Sequence, residues 1–512
     1  MIRLYILSFI ILALYGNTFC QQNEQLAELH PKLRDKNSGN QFSFLEKSNL
    51  KEYSKINKSF IGYSKLVETK KLKIGTNLVN PDDIKTYPIW IPISEIIGMN
   101  IGINLFSNYV LHNDYSKISF ASIAQNFKTG FVWDSDKFNT NFFAHPYHGG
   151  LYFNIARSNG YSYWASTAFV LGGSLMWETL METDPPQTND MIMTTLGGIF
   201  LGETLHRLSS LVIDDRKTGF ERVMREIGAG LIDIPRGVNR LFQTKSWKVD
   251  GAIEYEREPL ALDAYYGLNW NNYGTKVGTG VANGAAGFGL IYGNPYEKTK
   301  RDPMDFFRLQ GNFNFGAGQP GIASLEGYGL LFGRTYHIPN KRDYLFGLFH
   351  NYDFFENQAY EIGAVSFGGG WITRFKTSEK SLFISAILLN LTPFGASKSD
   401  YVDENNRNYS FSGGANTKLE SSMNFNWGTF YIGYNLFWFY TYVGVPGNEL
   451  YGIFRPKVLI NVSKDIELGA QFMFAHKVGY YHDHENINAR TTQTMLLLQY
   501  TFGDMKFLRS GD

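Results

Sequence analysis

The chain of 512 residues holds one cysteine, Cys20, and that residue lies at the end of an apolar N-terminal stretch. Cleavage after it leaves a protein with no disulfide framework, no thiolate ligand for zinc and no thiol nucleophile. Net charge is +1 and charged residues make up only 19%. No global basic field exists, so nucleic acid is excluded as the expected partner. No GxSxG elbow surrounds Ser158, Ser162, Ser166 or Ser174, which removes the common serine-hydrolase signature. The glycine-rich stretch from Gly274 to Gly289 is not followed by Lys-Ser/Thr, so no phosphate loop is read there.

Glycine and aromatics are plentiful instead: 52 Gly, 32 Tyr and 41 Phe. Such a mixture suits strands with one apolar face better than a soluble enzyme core. The slightly negative mean hydropathy does not oppose this, because barrel strands keep half their residues polar.

Arg3, the apolar run Leu4 to Tyr15, and small residues Thr18 and Cys20 read as a signal peptide over residues 1–20. Phe19 before Cys20 argues against lipidation. Residues 21–88 are polar and weakly patterned and are expected to be a flexible periplasmic lead, with one candidate strand at Ser59 to Val67.

Residues 89–242 carry a helical pattern. Helices are expected at Ser94 to Leu111, Ser119 to Phe127, Leu151 to Arg157, Tyr161 to Met181, Thr188 to Val212 and Gly219 to Phe242. Asp184-Pro185-Pro186 stops the fourth, and Thr188 is a candidate cap for the fifth. Two of these helices are apolar nearly all round and must be buried in protein or lipid. Gly198 and Gly202 form a GxxxG spacing that lets another helix approach closely. Glu178, Glu203 and Arg207 argue against simple lipid-spanning helices.

Over 246–507 the period becomes two. Trp247, Val249, Gly251, Ile253 and Tyr255 alternate with polar residues, as do Phe307, Leu309, Gly311, Phe313 and Phe315 with Arg308, Gln310, Asn312 and Asn314. Ile466 to Phe474 and Thr494 to Phe502 repeat the pattern. The expected fold is an antiparallel transmembrane β-barrel of about 12–14 strands with an N-terminal helical region. Short turns at Arg257-Glu-Pro, Thr377-Ser-Glu and Ser463-Lys-Asp contrast with long polar loops at Gly274 to Gly284, Thr392 to Thr417 and Lys477 to Arg490. Roughly 13 alternating segments come after Lys245. Their parity admits two arrangements: an extra early strand at Ser59 to Val67 with the helices in the lumen, or 12 strands with the helices periplasmic.

The densest polar set in the apolar region is His145, His148, Glu178, Glu203, His206 and Arg207. Glu203 and His206 form an ExxH pair on one helix face, the unit that di-metal bundles use twice. Only one such pair exists here, so a metal reading rests on Glu178, Glu203 and His206. The plainer reading pairs Glu203 with Arg207 at i,i+4 and ties the histidines to helix ends. Acid–base hydrolysis with one His as base is a third. His482 and His484 in an outer loop read as solvated.

Asn141, His145-Pro-Tyr-His-Gly-Gly, Tyr152, Ala156-Arg157-Ser-Asn-Gly160, Ser174-Leu-Met-Trp177-Glu178, Asn189-Asp190, Thr195-Leu-Gly197-Gly198 and Gly202-Glu203 together resemble a family. It is an uncharacterised domain-of-unknown-function family of Gram-negative envelope proteins that couple a helical segment to a C-terminal barrel. The resemblance covers Asn141 to Val212 and implies the cell outer membrane, but no activity. His145, His148, Arg157, Glu178, Asp190, Glu203 and His206 are the candidate functional residues. The expected role is envelope structure or passage of a small solute or lipid, with outer-membrane lipid as partner and the helices as plug or flank. The alternative is a lipid-modifying or metal-dependent hydrolase built on the His/Glu cluster. No cofactor is specified by the sequence.

Overall fold

The computed structural model describes residues 77–79, 85–133, 136–250, 253–255 and 257–502, apart from loop stretches at 274–280, 298–300, 317–320, 339–341, 357–359, 379–380 and 405–406. The signal peptide, most of the lead and the candidate strand Ser59 to Val67 lie outside the described residues.

Among the described residues seven α-helices precede the barrel: α1 Trp90–Tyr109, α2 Phe120–Thr129, α3 His145–Ser158, α4 Tyr163–Met176, α5 Thr188–Val212, α6 Gly219–Ile232 and α7 Ile234–Phe242. Ser119 caps α2 through a capping box with Ser122, and the Ser162 side chain caps α4. Gln187, not Thr188, precedes α5, while Asp190 takes its first turn. The expected single helix over Gly219 to Phe242 is two. Pro235 cannot continue a helix, and Asp233 ends one and caps the next through the Arg236 N–H. Two π-helical turns, Thr140–Ala144 and Trp177–Met181, abut α3 and α4.

Among the strands, β1 Asn77–Val79 and β2 Ile253–Tyr255 form a small parallel pair. Twelve more close a barrel: β3 Leu260–Tyr273, β4 Val281–Tyr292, β5 Phe307–Phe315, β6 Ile322–Ile338, β7 Arg342–Glu356, β8 Glu361–Ser378, β9 Ser381–Lys398, β10 Tyr409–Phe425, β11 Gly428–Val443, β12 Gly447–Asn461, β13 Ile466–Tyr481 and β14 Ile487–Phe502. All barrel neighbours are antiparallel, and β14 returns to β3 with Phe502 opposite Leu262. The alternation from Trp247 to Tyr255 therefore does not belong to the barrel; α7 ends in turns that run through Trp247. Without that segment the parity resolves, and no earlier strand is needed. The loops expected at Thr392 to Thr417 and Lys477 to Arg490 are shorter, because β9, β10, β13 and β14 extend into them.

The rim where β3 begins and β14 ends is the inner rim. The helices are neither in the lumen nor below the barrel; of plug and flank, they form the flank. They lie against the outer wall. Asp353 and Asn351 of β7 point inward to Lys418 and Asn390, so His350, Tyr352 and Phe354 point outward, and these are buried. Phe200 of α5 stacks on Tyr352, and Phe142 stacks on Phe394 of β9. On the same outward face Phe346, Leu348, Leu389, Leu391, Leu496 and Leu498 are exposed. The helices thus cover part of an apolar wall that elsewhere stands bare.

α3 and α5 cross where neither has a side chain. A Cβ on Gly198 would lie 2.6 Å from Gly149 Cα, and one on Gly202 would lie 2.8 Å from the Phe153 Cβ. The GxxxG spacing is used here, inside the flank. Gly98 and Gly102 on α1 have nothing within 4 Å. Gly198→Val should therefore cost about 3 kcal/mol or more through backbone separation. Gly98→Ala should be neutral or gain up to about 1 kcal/mol in helix propensity. Urea unfolding monitored by helical circular dichroism measures both.

Candidate functional site

The candidate residues divide into two groups along α5. Asp190 in its first turn belongs to one, Glu203 and His206 to the other; the 13-residue separation is about 20 Å along the axis.

In the first group His145, Glu178 and Asp190 each offer one ligand atom, all within 4.8 Å of one another. His145 begins α3 directly after one π-turn, and Glu178 lies inside the other. A π-turn inserts one residue and rotates the residues beyond it about the helix axis, so these two interruptions set the facing of His145 and Glu178. His145 Nε2 lies 3.4 Å from Asp190 Oδ2. Glu178 Oε2 accepts from the Gln187 N–H at 3.0 Å. Asn189 Nδ2 donates to Asp190 Oδ1 at 2.7 Å and to Asn141 Oδ1 at 3.3 Å. Asn141 in turn donates to the Tyr409 hydroxyl of β10 at 2.7 Å, which ties the group to the barrel wall. Glu178 and Asp190 are 1% exposed and His145 remains partly open. His148, one turn on, packs against the rings of Tyr152 and Trp177. One imidazole nitrogen and two carboxylate oxygens form a donor set that could hold a divalent cation.

The second group is closed. Glu203 is fully buried and accepts from Arg157 Nε at 2.7 Å and Arg207 Nε at 2.8 Å. The expected i,i+4 pair with Arg207 is present, and Arg157 from α3 is added to it. The Glu203 carboxylate is thus held between two guanidinium groups, one from α3 and one from its own helix. His206 Nδ1 lies 3.2 Å from Asp233 Oδ2. Arg236 donates to the His206 carbonyl at 2.9 Å. Burial pushes the Asp233 carboxyl up to about 7, against the lowering effect of Arg236. Glu178, Glu203 and His206, the sequence-based metal set, therefore do not share a site. Ser158 donates to the Ile155 carbonyl at 3.0 Å and Ser162 caps α4.

Sequence reasoning missed a network at the inner end of the flank. Arg240 meets Asp215 at 2.5 Å and Glu226 at 2.8 Å, and Arg222 reaches the same two carboxylates. Arg222 and Glu226 at i,i+4 in α6 were the available signal.

The barrel interior holds the other polar set. Arg455 pairs with Glu326, Arg308 with Glu420, and Lys418 with Asp353 at 2.6 Å. Gln310 and Asn435 also donate to Glu326. A cavity of about 180 Å³ lies on the inner side, bordered by Asp263, Arg308, Glu420 and Lys457. A second of about 60 Å³ lies on the outer side, bordered by Asn271, Asn314, Arg455 and Gln493. Glu326, with its partners Arg455, Gln310 and Asn435, stands between these cavities.

Residues 130–234 match a domain of unknown function, DUF3943. The match falls on the helical flank and agrees with the resemblance read from Asn141 to Glu203. No curated protein matches the chain. Solved structures similar to it include the outer membrane channel DcaP of Acinetobacter baumannii, at 9% identity over 48% of this chain and 96% of that one, TM-score 0.22. The NanC porin matches at 8% identity over 47% and 98%, TM-score 0.27. The KdgM porin matches at 7% identity over 48% and 99%, TM-score 0.23.

Two outcomes are expected. Glu203→Gln removes the negative charge that Arg157 and Arg207 share and should destabilise the flank by about 3–5 kcal/mol, whereas Glu203→Leu combined with Arg157→Met and Arg207→Met should recover most of that loss. The Asp233 carboxyl has a folded value of about 7 above its ordinary 3.8. Its contribution is complete below about pH 4 and is lost as pH rises through about 7. Asp233→Asn keeps the cap and removes the proton, so its urea midpoint should fall less than the wild type's between about pH 5 and about pH 8.

Proposed function

We propose that this protein is an outer-membrane barrel that passes small polar solutes through a lumen closed at rest by ion pairs, with the DUF3943 helices as a structural flank. The supporting observation is the interior itself. Two cavities, each bordered by polar side chains among apolar ones, are separated by Glu326 and its partners Arg455, Gln310 and Asn435, with Arg308–Glu420 on the inner side. A lumen meant only to be filled is most stably filled with apolar side chains, since buried ion pairs gain little over a hydrophobic core. Charged side chains lining a pore select the solutes that pass it, and here they would open the path by swinging aside with their water restored. A twelve-stranded ring is wide enough for such a path once its interior side chains move. The N-terminal leader read from the sequence fits delivery to that membrane.

The solute class is small and polar, set by the Asn, Gln and charged residues that border both cavities. Planar-bilayer recording tests this. Wild type should show low or flickering conductance. Arg455→Ala removes about 3–5 kcal/mol from the closed arrangement, which raises the open fraction by at least about tenfold. Glu326→Ala should act alike. Silence in wild type and in both variants, with the barrel folded, would leave envelope structure as the role.

A further inference from the structure

We infer that the helical flank is itself embedded in the bilayer, with α1 and α4 presenting their outer faces to lipid acyl chains. The inference rests on the reading of the barrel as membrane-spanning. It does not rest on solute passage.

The flank spans the height of the wall. The π-turn before α3 packs at the outer rim: Phe142 stacks on Phe394 near the end of β9, and Tyr409, first in β10, donates to the Asp136 carbonyl. The other end of α5 reaches the inner rim, where Arg207 donates to the Pro303 carbonyl in the loop between β4 and β5. The flank therefore runs along the wall from rim to rim. A bilayer around the barrel must meet it.

The face that the bilayer would meet is apolar. Ile89, Ile93, Ile97, Ile101, Leu105 and Tyr109 recur every fourth residue and are all exposed. The 20 residues of α1 are about 30 Å long, the thickness of the hydrocarbon layer. Trp90 and Tyr109 mark its two ends, 65% and 70% exposed, as interfacial aromatics do. The one charged residue of α1, Glu95, is turned inward and accepts from Asn159 and Asn239. Trp164, Leu171 and Leu175 of α4 continue the apolar surface, and Trp164 stacks on the outward Phe332 of β6. The helical surface thus joins the bare strand surface without a break.

No described helix is long and apolar enough by average hydropathy to cross a membrane. For α1 the average misleads. Asn100 and Asn104 lower it, yet both are buried and bonded: Asn100 accepts from the Tyr152 hydroxyl at 2.6 Å, and Asn104 donates to the Met181 carbonyl at 2.9 Å. Intramembrane polar groups are tolerated when they face the bundle.

Lipid is preferred over a second copy because the apolar stripe ends in aromatics at both levels where a bilayer ends. The test is nitroxide accessibility in liposomes, using full-length protein carrying Cys20→Ala. Labels at Ile97→Cys, Ile101→Cys and Leu171→Cys are compared with Leu496→Cys on the bare strand and Lys117→Cys in an aqueous loop. Heat-modifiable gel migration confirms folding of each. The expected result is high oxygen and low nickel-chelate access at all three flank sites, equal to Leu496→Cys. Nickel access like that at Lys117→Cys would overturn the inference. So would low access to both reagents with dipolar broadening, which would mean a second copy covers the face. Aqueous behaviour at Leu496→Cys as well would overturn the membrane barrel along with it.

Discussion

Hydrocarbon offers no hydrogen-bond partner, so the last strand must find the first. The pairing of β14 with β3, from Thr491 opposite Tyr273 to Phe502 opposite Leu262, is the contact on which the rest depends. Once the ring is closed, each strand's residues are sorted by parity. Arg308, Gln310 and Asn312 have no choice but the lumen, and Phe307, Leu309 and Phe313 none but the outside. Twelve strands enclose more room than one layer of aliphatic side chains fills. The interior is accordingly crossed by long charged side chains, which reach far and must be paired to do so.

The outside obeys a different rule. Against lipid, a helix gains nothing from burying apolar area, because the tails it displaces are as apolar as its own side chains. Docking then depends on shape. The wall supplies glycines where the flank supplies rings. A Cβ on Gly327 would lie 2.9 Å from the Phe200 Cζ, and one on Gly363 would run into the Phe142 ring. The same device holds α3 against α5 through Gly149 and Gly198. Hydrogen bonds such as Tyr352 to the Phe142 carbonyl then fix what the shapes allow.

Much of this could be read from the chain. The period of two from Leu260 onward is real strand, and the helices fall close to where their patterns put them, although the last expected one is two. The side of the wall on which they lie could not be read. Phe307 and Leu309 alternate with Arg308 whether lipid or a helix covers them, so the pattern carries a face and not its occupant. The site is hard to read for a related reason. Glu203 and His206 share a helix face by spacing, but their partners come from α3 and from Asp233, far away in sequence. Conversely, His145, Glu178 and Asp190 meet only because two π-turns shift the phase of their helices, and a 3.6-residue wheel cannot show that.

The buried charges of the flank are a consequence of the weakness of apolar packing in lipid. A bundle of Gly, Ile and Leu faces surrounded by acyl chains has many near-equivalent rotations and slides. Arg157 pairs with the buried Glu203 carboxylate, and that pairing places α3 against α5 at a single register, with Arg207 donating to the same carboxylate and to the Pro303 carbonyl, which anchors the whole to the barrel. Asn141, bonded to Tyr409, repeats the anchor at the other rim. Polar groups thus specify position where apolar groups cannot, in the flank as in the lumen. Barrel and flank each hide their polar residues within and turn apolar ones outward. The two surfaces are then physically alike, and lipid has no means to distinguish strand from helix.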